Sequence, residues 1–529
     1  MKILTAAQMA EVDRLTTERY LIPSILLMEN AGRSFAEELM KACPGIGRKR
    51  ILVFCGRGNN GGDGFVVARY LALAGAGPAI LLLADPRKLR GDAKTNYEIA
   101  RAMGLPIQIL KTVTAVKSHL KKTDFPDIIV DALFGTGLSK PIGKDYRPII
   151  DWINAASSNA FVASVDIPSG IMADSAVIPG PAIKAHLTVT FSAFKLAHII
   201  PPAADMAGKV VLVPIGSPSA LFANPDYLMN LIDAEQVRRS LPRRARDSHK
   251  GTFGHVFIVA GSRGKSGAAL MTGLAALRAG AGLVTLWLPK SLQKSVVGKF
   301  PELMTEFLPE TEEETSAKAG AEKVVLQLNH ADALVVGPGI TTHPSTRKLV
   351  WELVRQSPVP VVLDADGINA FVPPAEPLRN KENQPIIITP HPGEMARLTR
   401  QKTADVQKRR LETARQCSKY HNCYVILKGF QTVIATPGGE IYINPTGNPG
   451  MATGGTGDIL AGMIGRFVAG WKCGPSGDDE SFLADHLSAA VYLHGAAGDL
   501  AVEEDSAESL IATDLLKTLP KAIKKVRSL

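Results

Sequence analysis

The strongest constraint on this chain is an alternation that runs along nearly its whole length. A short run of β-branched and other apolar residues gives way to a turn rich in glycine or acids, and then to an amphipathic helical stretch. In the first half the runs read ILVFCG, PAILLLA, DIIVDALF, AFVASVDI and LTVTFS. In the second they read HVFIVAG, GLVTLWLP, ALVVGPG, VPVVLDAD, PIIITPHP, CYVILKG and TVIAT. Strands alternating with helices predict the α/β class, with parallel sheets joined by crossover helices. Ligands of such sheets sit at the carboxyl ends of the strands, so the residues just after each run are the places to look for function.

At 529 residues the chain is too long for one ordinary core, and two or more domains are expected. Turn residues and a basic, proline-containing run between Val213 and Thr252 mark the boundary. Domains over 1–220 and 241–529 are expected, with 221–240 as a linker. Charged residues at 21% and hydrophobic ones at 46% suit a soluble globular enzyme. The net charge of +10 is concentrated in stretches such as Arg238 to Lys250, without aromatic interleaving. That favours small anionic ligands over nucleic acid. Five scattered cysteines with no C-x-x-C pair indicate reduced thiols, not disulfides or zinc. The N-terminus lacks a signal-type apolar core, and YLALAGAGPAILLLAD is too short and too broken to span a bilayer. A cytoplasmic protein with no membrane partner is expected.

In the first half, ILVFC runs into GRGNNGGDGF. Gly56, Gly58 and Gly61 satisfy G-x-G-x-x-G, and Asp85 follows the next run, which makes a Rossmann dehydrogenase one reading. Asn59, Asn60, Gly61, Gly62 and Asp63 are expected to precede the helix proper, placing polar side chains where a pyrophosphate would want backbone. A plain strand–helix turn using Asn-Gly is another reading. Two further strand ends deliver Asp131 in DALFGTGLSKPI and Asp166 with Ser169 in VDIPSGI. Such residues often only cap a helix, but three such loops on one sheet edge offer oxygen ligands suited to a hard cation.

Together these motifs resemble the epimerase domain of the NAD(P)H-hydrate repair enzymes, over most of residues 1–215. The resemblance implies a Rossmann-like three-layer sandwich that interconverts the R and S forms of hydrated NADH and NADPH. It implies that Asn59 to Asp63, Gly135, Thr136, Gly137, Leu138, Ser139, Lys140, Pro141 and Asp166 contact the hydrate. It also implies that Asn60, Asp131 and Ser169 help bind K+. Arg57 stands where the family often has proline, and FSAFKLAH departs from its pattern near Lys195. Epimerisation at a carbon bearing a hydroxyl and a ring nitrogen needs proton transfer or ring opening. Asp166 is the expected agent, with a purely substrate-positioning Asp166 as the alternative.

The second half delivers GPGI, DADGIN, TPHPGE and LKGFQT after its runs, and then NPGMATGGTGD. Glycines opening a helix hold phosphate through bare N–H groups at the positive end of the dipole. No Lys-Ser or Lys-Thr pair follows, so this is no P-loop. His391 alone would be an ordinary loop histidine and Lys428 alone a surface charge, but both follow buried-type runs. With SHKGTFGH and SGAA, these motifs resemble the ribokinase-like superfamily, and within it the nucleotide-dependent NAD(P)H-hydrate dehydratase domain, over roughly 240–525. The resemblance implies that Lys428, Gly429, Phe430, Gln431, Thr432 and Gly457 line an ADP site, with Mg2+ a further candidate. It implies that Ala268, Gly339, His391 and Asp458 contact the S-hydrate, with Asp458 as acid or base. The residues do not separate ADP from ATP. A bifunctional epimerase–dehydratase, forming a homo-oligomer, is the expectation. A ribokinase-like kinase of a vitamin precursor and a non-catalytic dinucleotide-binding protein are the alternatives.

Overall fold

The alternation of apolar runs and helices folds into two parallel-sheet units. The structure, a computed structural model, describes residues 1–120, 125–143, 145–241, 244–372, 378–380, 384–473 and 482–529. It divides into one unit over Met1–Tyr227 and another over Leu228–Leu529.

In the first unit seven strands run parallel: β1 (Arg50–Cys55), β2 (Gly77–Leu82), β3 (Ile107–Ile109), β4 (Ile128–Ala132), β5 (Phe161–Val165), β6 (Leu187–Phe191) and β7 (Lys209–Val213). Their order is β3-β2-β1-β4-β5-β6-β7. Alternate residues serve opposite faces. Val53, Cys55, Ile80 and Val130 pack on Phe35, Phe65 and Leu71 of helices Ser24–Ala42 and Asn59–Leu73. Leu52, Phe54, Leu81 and Ile129 pack on Ile149, Ile150 and Ile153 of helix Arg147–Ala156. Helices on both faces make three layers, as expected. The chain winds one way through β1, β2 and β3 and the other way from β4 onward, so a crevice opens where β1 and β4 meet.

The second unit carries β8 (Met229–Leu231), β9 (His255–Val259), β10 (Leu283–Pro289), β11 (Met304–Leu308), β12 (Ala333–Val336), β13 (Val361–Leu363), β14 (Ile386–Ile388), β15 (Tyr424–Leu427), β16 (Val433–Ala435) and β17 (Ile441–Ile443). They pair in the order β11-β10-β9-β12-β13-β14-β15-β16-β17-β8. The purely parallel expectation is corrected at one end, because β15, β16 and β17 pair antiparallel. Only five residues separate Leu427 from Val433, too few for a crossover. One face, with Ile258, Leu286, Val335 and Ile426, is covered by helices Ser266–Arg278, Thr456–Lys472, Leu483–Glu504 and Ala512–Arg527.

The stretch expected as a linker is largely structured. Met229–Leu231 extends the second sheet against β17, and Asp233 caps helix Ala234–Arg239 by accepting from the Gln236 N–H at 2.8 Å. Among the described residues no helix is long and apolar enough to cross a membrane. The five cysteines are free thiols, with Cys55, Cys417 and Cys423 buried.

Candidate functional site

Glycine governs the crevice of the first unit. A Cβ on Gly56 would stand 2.0 Å from the Leu133 oxygen, and one on Gly61 would stand 2.0 Å from the Gly56 oxygen. The ends of β1 and β4 and the start of the following helix therefore meet backbone to backbone. That helix begins at Asn59, earlier than expected, so Asn59 to Asp63 form its first turns, and no side chain caps it. The close approach forces the helix to start inside the glycine loop. Gly61→Ala is expected to lower stability by about 1–3 kcal/mol, read as a lower melting temperature, because the new methyl has only backbone to displace.

A cavity of about 1030 Å³ opens over this edge. Asn59, Asn60 and Asp63, all of Gly135 to Pro141, and Asp166 line it, so most of the expected hydrate residues converge. Gly61 and Gly62 are buried in the helix start. Asp131 and Ser169 are fully buried. The Asp131 carboxylate accepts from Ser164 Oγ at 2.9 Å, Ser169 Oγ at 2.6 Å and the Ser169 N–H at 2.8 Å. Ser169 Oγ in turn accepts from the Phe134 N–H at 2.9 Å. Burial pushes the Asp131 carboxyl upward against these bonds. Asn60 lies against the same loop: a Cβ on Gly135 would stand 3.1 Å from its Oδ1. Its Nδ2 is buried without a partner among the described residues.

Three features of this unit were not assigned from sequence. Lys195, 1% exposed, donates to Asp166 Oδ1 at 2.6 Å and to Thr190 Oγ1 at 2.9 Å. Thr190 Oγ1 donates to the same Asp166 oxygen at 2.8 Å. Asp166 itself adopts φ +62°, a left-handed conformation that non-glycine residues hold only where surroundings impose it. His198 secures it: Nδ1 accepts from the Lys195 N–H at 3.1 Å, so Nε2 carries the hydrogen and donates to the Asp166 backbone oxygen at 2.8 Å. Burial and the Lys195 charge hold this imidazole neutral, at about 3. Burial would raise the Asp166 carboxyl, but the Lys195 ammonium and the bonds from Lys195 and Thr190 keep it below the ordinary range. Asp13, from helix Ala6–Tyr20, also lines the cavity.

In the second unit three parallel strand ends are tied at one carboxylate. Asp364 follows β13, Thr389 follows β14 and Lys428 follows β15. Asp364 Oδ1 accepts from Lys428 Nζ at 2.7 Å and from Thr389 Oγ1 at 2.6 Å. Lys428 Nζ also lies 4.0 Å from Glu394, whose Oε2 accepts the His391 N–H at 2.8 Å. His391 caps helix Pro392–Thr399, its Nδ1 accepting from the Gly393 N–H at 3.0 Å. Asp364, with Glu394, was missed as a site residue; its position after a buried run was the available signal.

Helix Thr456–Lys472 starts from Gly455 at φ +96° with no side-chain cap, leaving its first N–H groups unclaimed by side chains. A Cβ on Gly457 would stand 3.4 Å from Lys428 Nζ, so the ammonium sits at this helix start. Asp458, in the first turn, is pushed up to about 6 by burial and by Asp364, with Lys428 opposing. Burial alone would lower the Lys428 ammonium; Asp364, Glu394 and Asp458 raise it instead. A Cβ on Gly455 would touch Met271 of helix Ser266–Arg278, which also carries Ala268. One on Gly339 would stand 3.1 Å from the Ala268 Cβ. Phe430, in the loop from Gly429 to Thr432, is 65% exposed. His391, Lys428, Gly457 and Asp458 are thus brought together around Asp364, and Ala268 meets Gly339.

Chemically, each unit pairs an uncapped helix start with a lysine ammonium held by a carboxylate and with a further carboxyl raised by burial. Such a site can bind an anionic tail through N–H groups and move protons beside it. Comparison with known proteins gives the family. A family described as NAD(P)H-hydrate dehydratase matches residues 256–521, and one described as YjeF-related protein N-terminus matches residues 24–197. The bifunctional NAD(P)H-hydrate repair enzyme of Moorella thermoacetica is 42% identical over 531 residues, covering 99% of this chain and 97% of that protein. Its counterpart from Escherichia coli is 33% identical over 497 residues, covering 94% and 89%. The solved ADP/ATP-dependent NAD(P)H-hydrate dehydratase of Bacillus subtilis, co-crystallised with ATP and Mg2+, is 34% identical, with a TM-score of 0.49 over 56% of this chain and 98% of that one. The chain belongs to the family of bifunctional NAD(P)H-hydrate repair enzymes.

Proposed function

We propose that the first unit epimerises the R and S forms of hydrated NADH and NADPH, and that the second dehydrates the S form with ADP as its nucleotide. The observation that carries this reading is the end-to-end relationship to bifunctional repair enzymes across both units. The geometry of each site supplies the chemistry.

In the second unit, water must leave C6 of the hydrate as the lone pair of the ring nitrogen pushes. The leaving oxygen then needs a proton and the neighbouring carbon must release one. Asp458, with a carboxyl near 6, exists in both protonation states close to neutral pH and serves as this acid–base group. Lys428 and the open N–H groups at Thr456 and Gly457 would hold the nucleotide phosphates, and Ala268, Gly339 and His391 the hydrate. A bound nucleotide, held by these residues, would supply negative charge that stabilises the cationic ring left as water departs; Mg2+ would accompany it. Asp364 keeps Lys428 in place.

In the first unit, Asn59 to Asp63, Gly135 to Pro141 and Asp166 would hold the hydrate. Asn60 Oδ1, the Asp131 carboxylate, Ser169 Oγ and the Phe134 carbonyl are all oxygens gathered beneath one loop, a donor set that fits K+ and not a thiolate- or imidazole-seeking metal. A bound K+ would offset the buried Asp131 charge.

The test mixes the full chain with R and S hydrates of NADPH and follows NADPH absorbance. With ADP and potassium, complete conversion of both epimers is expected; without nucleotide, none beyond the spontaneous rate. Omitting potassium should slow consumption of the R form alone. Failure of NADPH to return, with ATP instead phosphorylating an alcohol, would establish the kinase reading.

A further inference from the structure

The first unit's cavity is lined by four carboxyl side chains, of Asp13, Asp63, Asp92 and Asp166, against three basic ones, of Arg57, Lys140 and Lys195. Lys195 is committed to Asp166 at 2.6 Å, and neither Asp13 nor Asp63 is paired with a basic side chain among the described residues. Asp13 reaches the cavity because Met9, Val12 and Thr16 turn the same face of helix Ala6–Tyr20 inward. Its Oδ1 is shielded from solvent without a hydrogen-bond partner among the described residues. The residue lies before the segment 24–197 that the family match covers.

We propose that Asp13 is a further catalytic residue of the epimerase site, acting as the acid opposite Asp166 as the base. This rests on the assignment of hydrate epimerisation to the first unit. Asp166 takes the hydrogen of the C6 hydroxyl, and the O–H electron pair forms a carbonyl. The C6–N1 bond breaks with its electron pair passing to N1, and Asp13 protonates N1. The freed aldehyde turns. N1 then attacks its other face while Asp13 takes back the proton, and Asp166 returns its hydrogen to oxygen. The ring closes with opposite configuration, and no electrons or atoms are gained or lost.

Two carboxyls can divide these roles because their surroundings push them apart. Lys195 holds Asp166 ionised. Burial pushes Asp13 up to about 6, with Lys195 opposing and Asp166 adding to the rise. Asp63 is pushed well above its ordinary value by burial first, and then by Asp166 and Asp13. The groups facing Asp13 are thus Asp63 from the helix after β1, Asp166 after β5 and Lys195 after β6. Arg57, Asp92, Lys140 and Tyr146 complete the charged and titratable wall. The turn Ser219–Ala223, packed on the same helix, carries no charge.

The test uses the full chain carrying Asp13→Asn, with R-hydrate, ADP and potassium. Consumption of the R form should fall by about 100-fold or more, toward the spontaneous rate, through kcat with little change in KM. Dehydration of the S form, performed by the second unit, should be unchanged. In the wild type, R-form turnover should decline as pH rises through the region of 6, and this limb should vanish in the variant. Asp13→Glu, which keeps an acid, should recover part of the rate. R-form turnover within about threefold of wild type in Asp13→Asn would overturn the assignment, as would a loss seen only in KM. If Asp13→Asn is poorly folded, Asp13→Glu decides: a folded variant without recovered turnover also overturns it. A wild-type chain that does not convert R-hydrate would instead sink the epimerase reading itself.

Discussion

Asp458→Asn is expected to abolish nucleotide-dependent return of NADPH and, at the same time, to make the protein more stable. The loss follows from removing the proton carrier: a positioned acid–base group contributes about 100- to 10,000-fold. R/S interconversion should persist, because Asp458 lies in the second unit. The gain follows from burial. The Asp458 carboxyl sits at about 6 in the folded protein against an ordinary 3.8, so the folded state binds this proton more tightly than the unfolded chain. Stability therefore declines as pH rises from about 4 through 6, by on the order of 2 kcal/mol, and asparagine removes that decline. The melting temperatures of variant and wild type should coincide near pH 4 and separate in the variant's favour above pH 6. A variant that retains NADPH return would remove Asp458 from the mechanism. One that is less stable at pH 7 would show that the carboxylate is anchored there.

Lys195→Met is expected to have the largest effect on stability. The Lys195 side chain is 1% exposed, and its ammonium holds Asp166, Thr190 and the Phe191 carbonyl together. Removing one partner of a buried pair leaves the other charge uncompensated, which costs about 3–5 kcal/mol. The sign of the pH dependence should reverse as well. In the wild type the folded Asp166 carboxyl lies below its ordinary value, so its contribution is present above that value and is lost as pH falls through the depressed one. Without Lys195, burial dominates and Asp166 rises, so the variant should recover stability as pH falls and the carboxyl takes up a proton. The double variant Lys195→Met, Asp166→Asn should regain most of the loss at neutral pH, since both halves of the pair are then neutral. Unfolding of the first unit at pH 5 and pH 8 measures all three. A single variant within about 1 kcal/mol of wild type would contradict the account.

The long central strands were legible because both faces are buried and their apolar runs are unbroken. The strands missed were Ile107–Ile109, Lys209–Val213, Met229–Leu231, Met304–Leu308 and Ile441–Ile443. Four of these lie at sheet edges and are short or half exposed, so their pattern merges with that of turns. The start of helix Asn59–Leu73 was misplaced because glycines and asparagines read locally as a loop. In the fold the backbone of Gly56 lies against Leu133 and that of Gly61 against Gly56, contacts that the local sequence does not announce.

The sequence by itself determined that the chain is α/β, that glycine loops follow its strands, and that Asp166 and Asp458 stand at strand and helix ends. These are local facts, set by periodicity and by the few residues that tolerate close backbone approach. Only the tertiary structure decided which groups share a proton field. Asp13 comes to the cavity with Asp166 from 153 positions away, and Lys428 reaches Asp364 across 64. Burial is what displaces these carboxyls, and burial is a property of everything packed around a residue, not of the residues beside it in the chain.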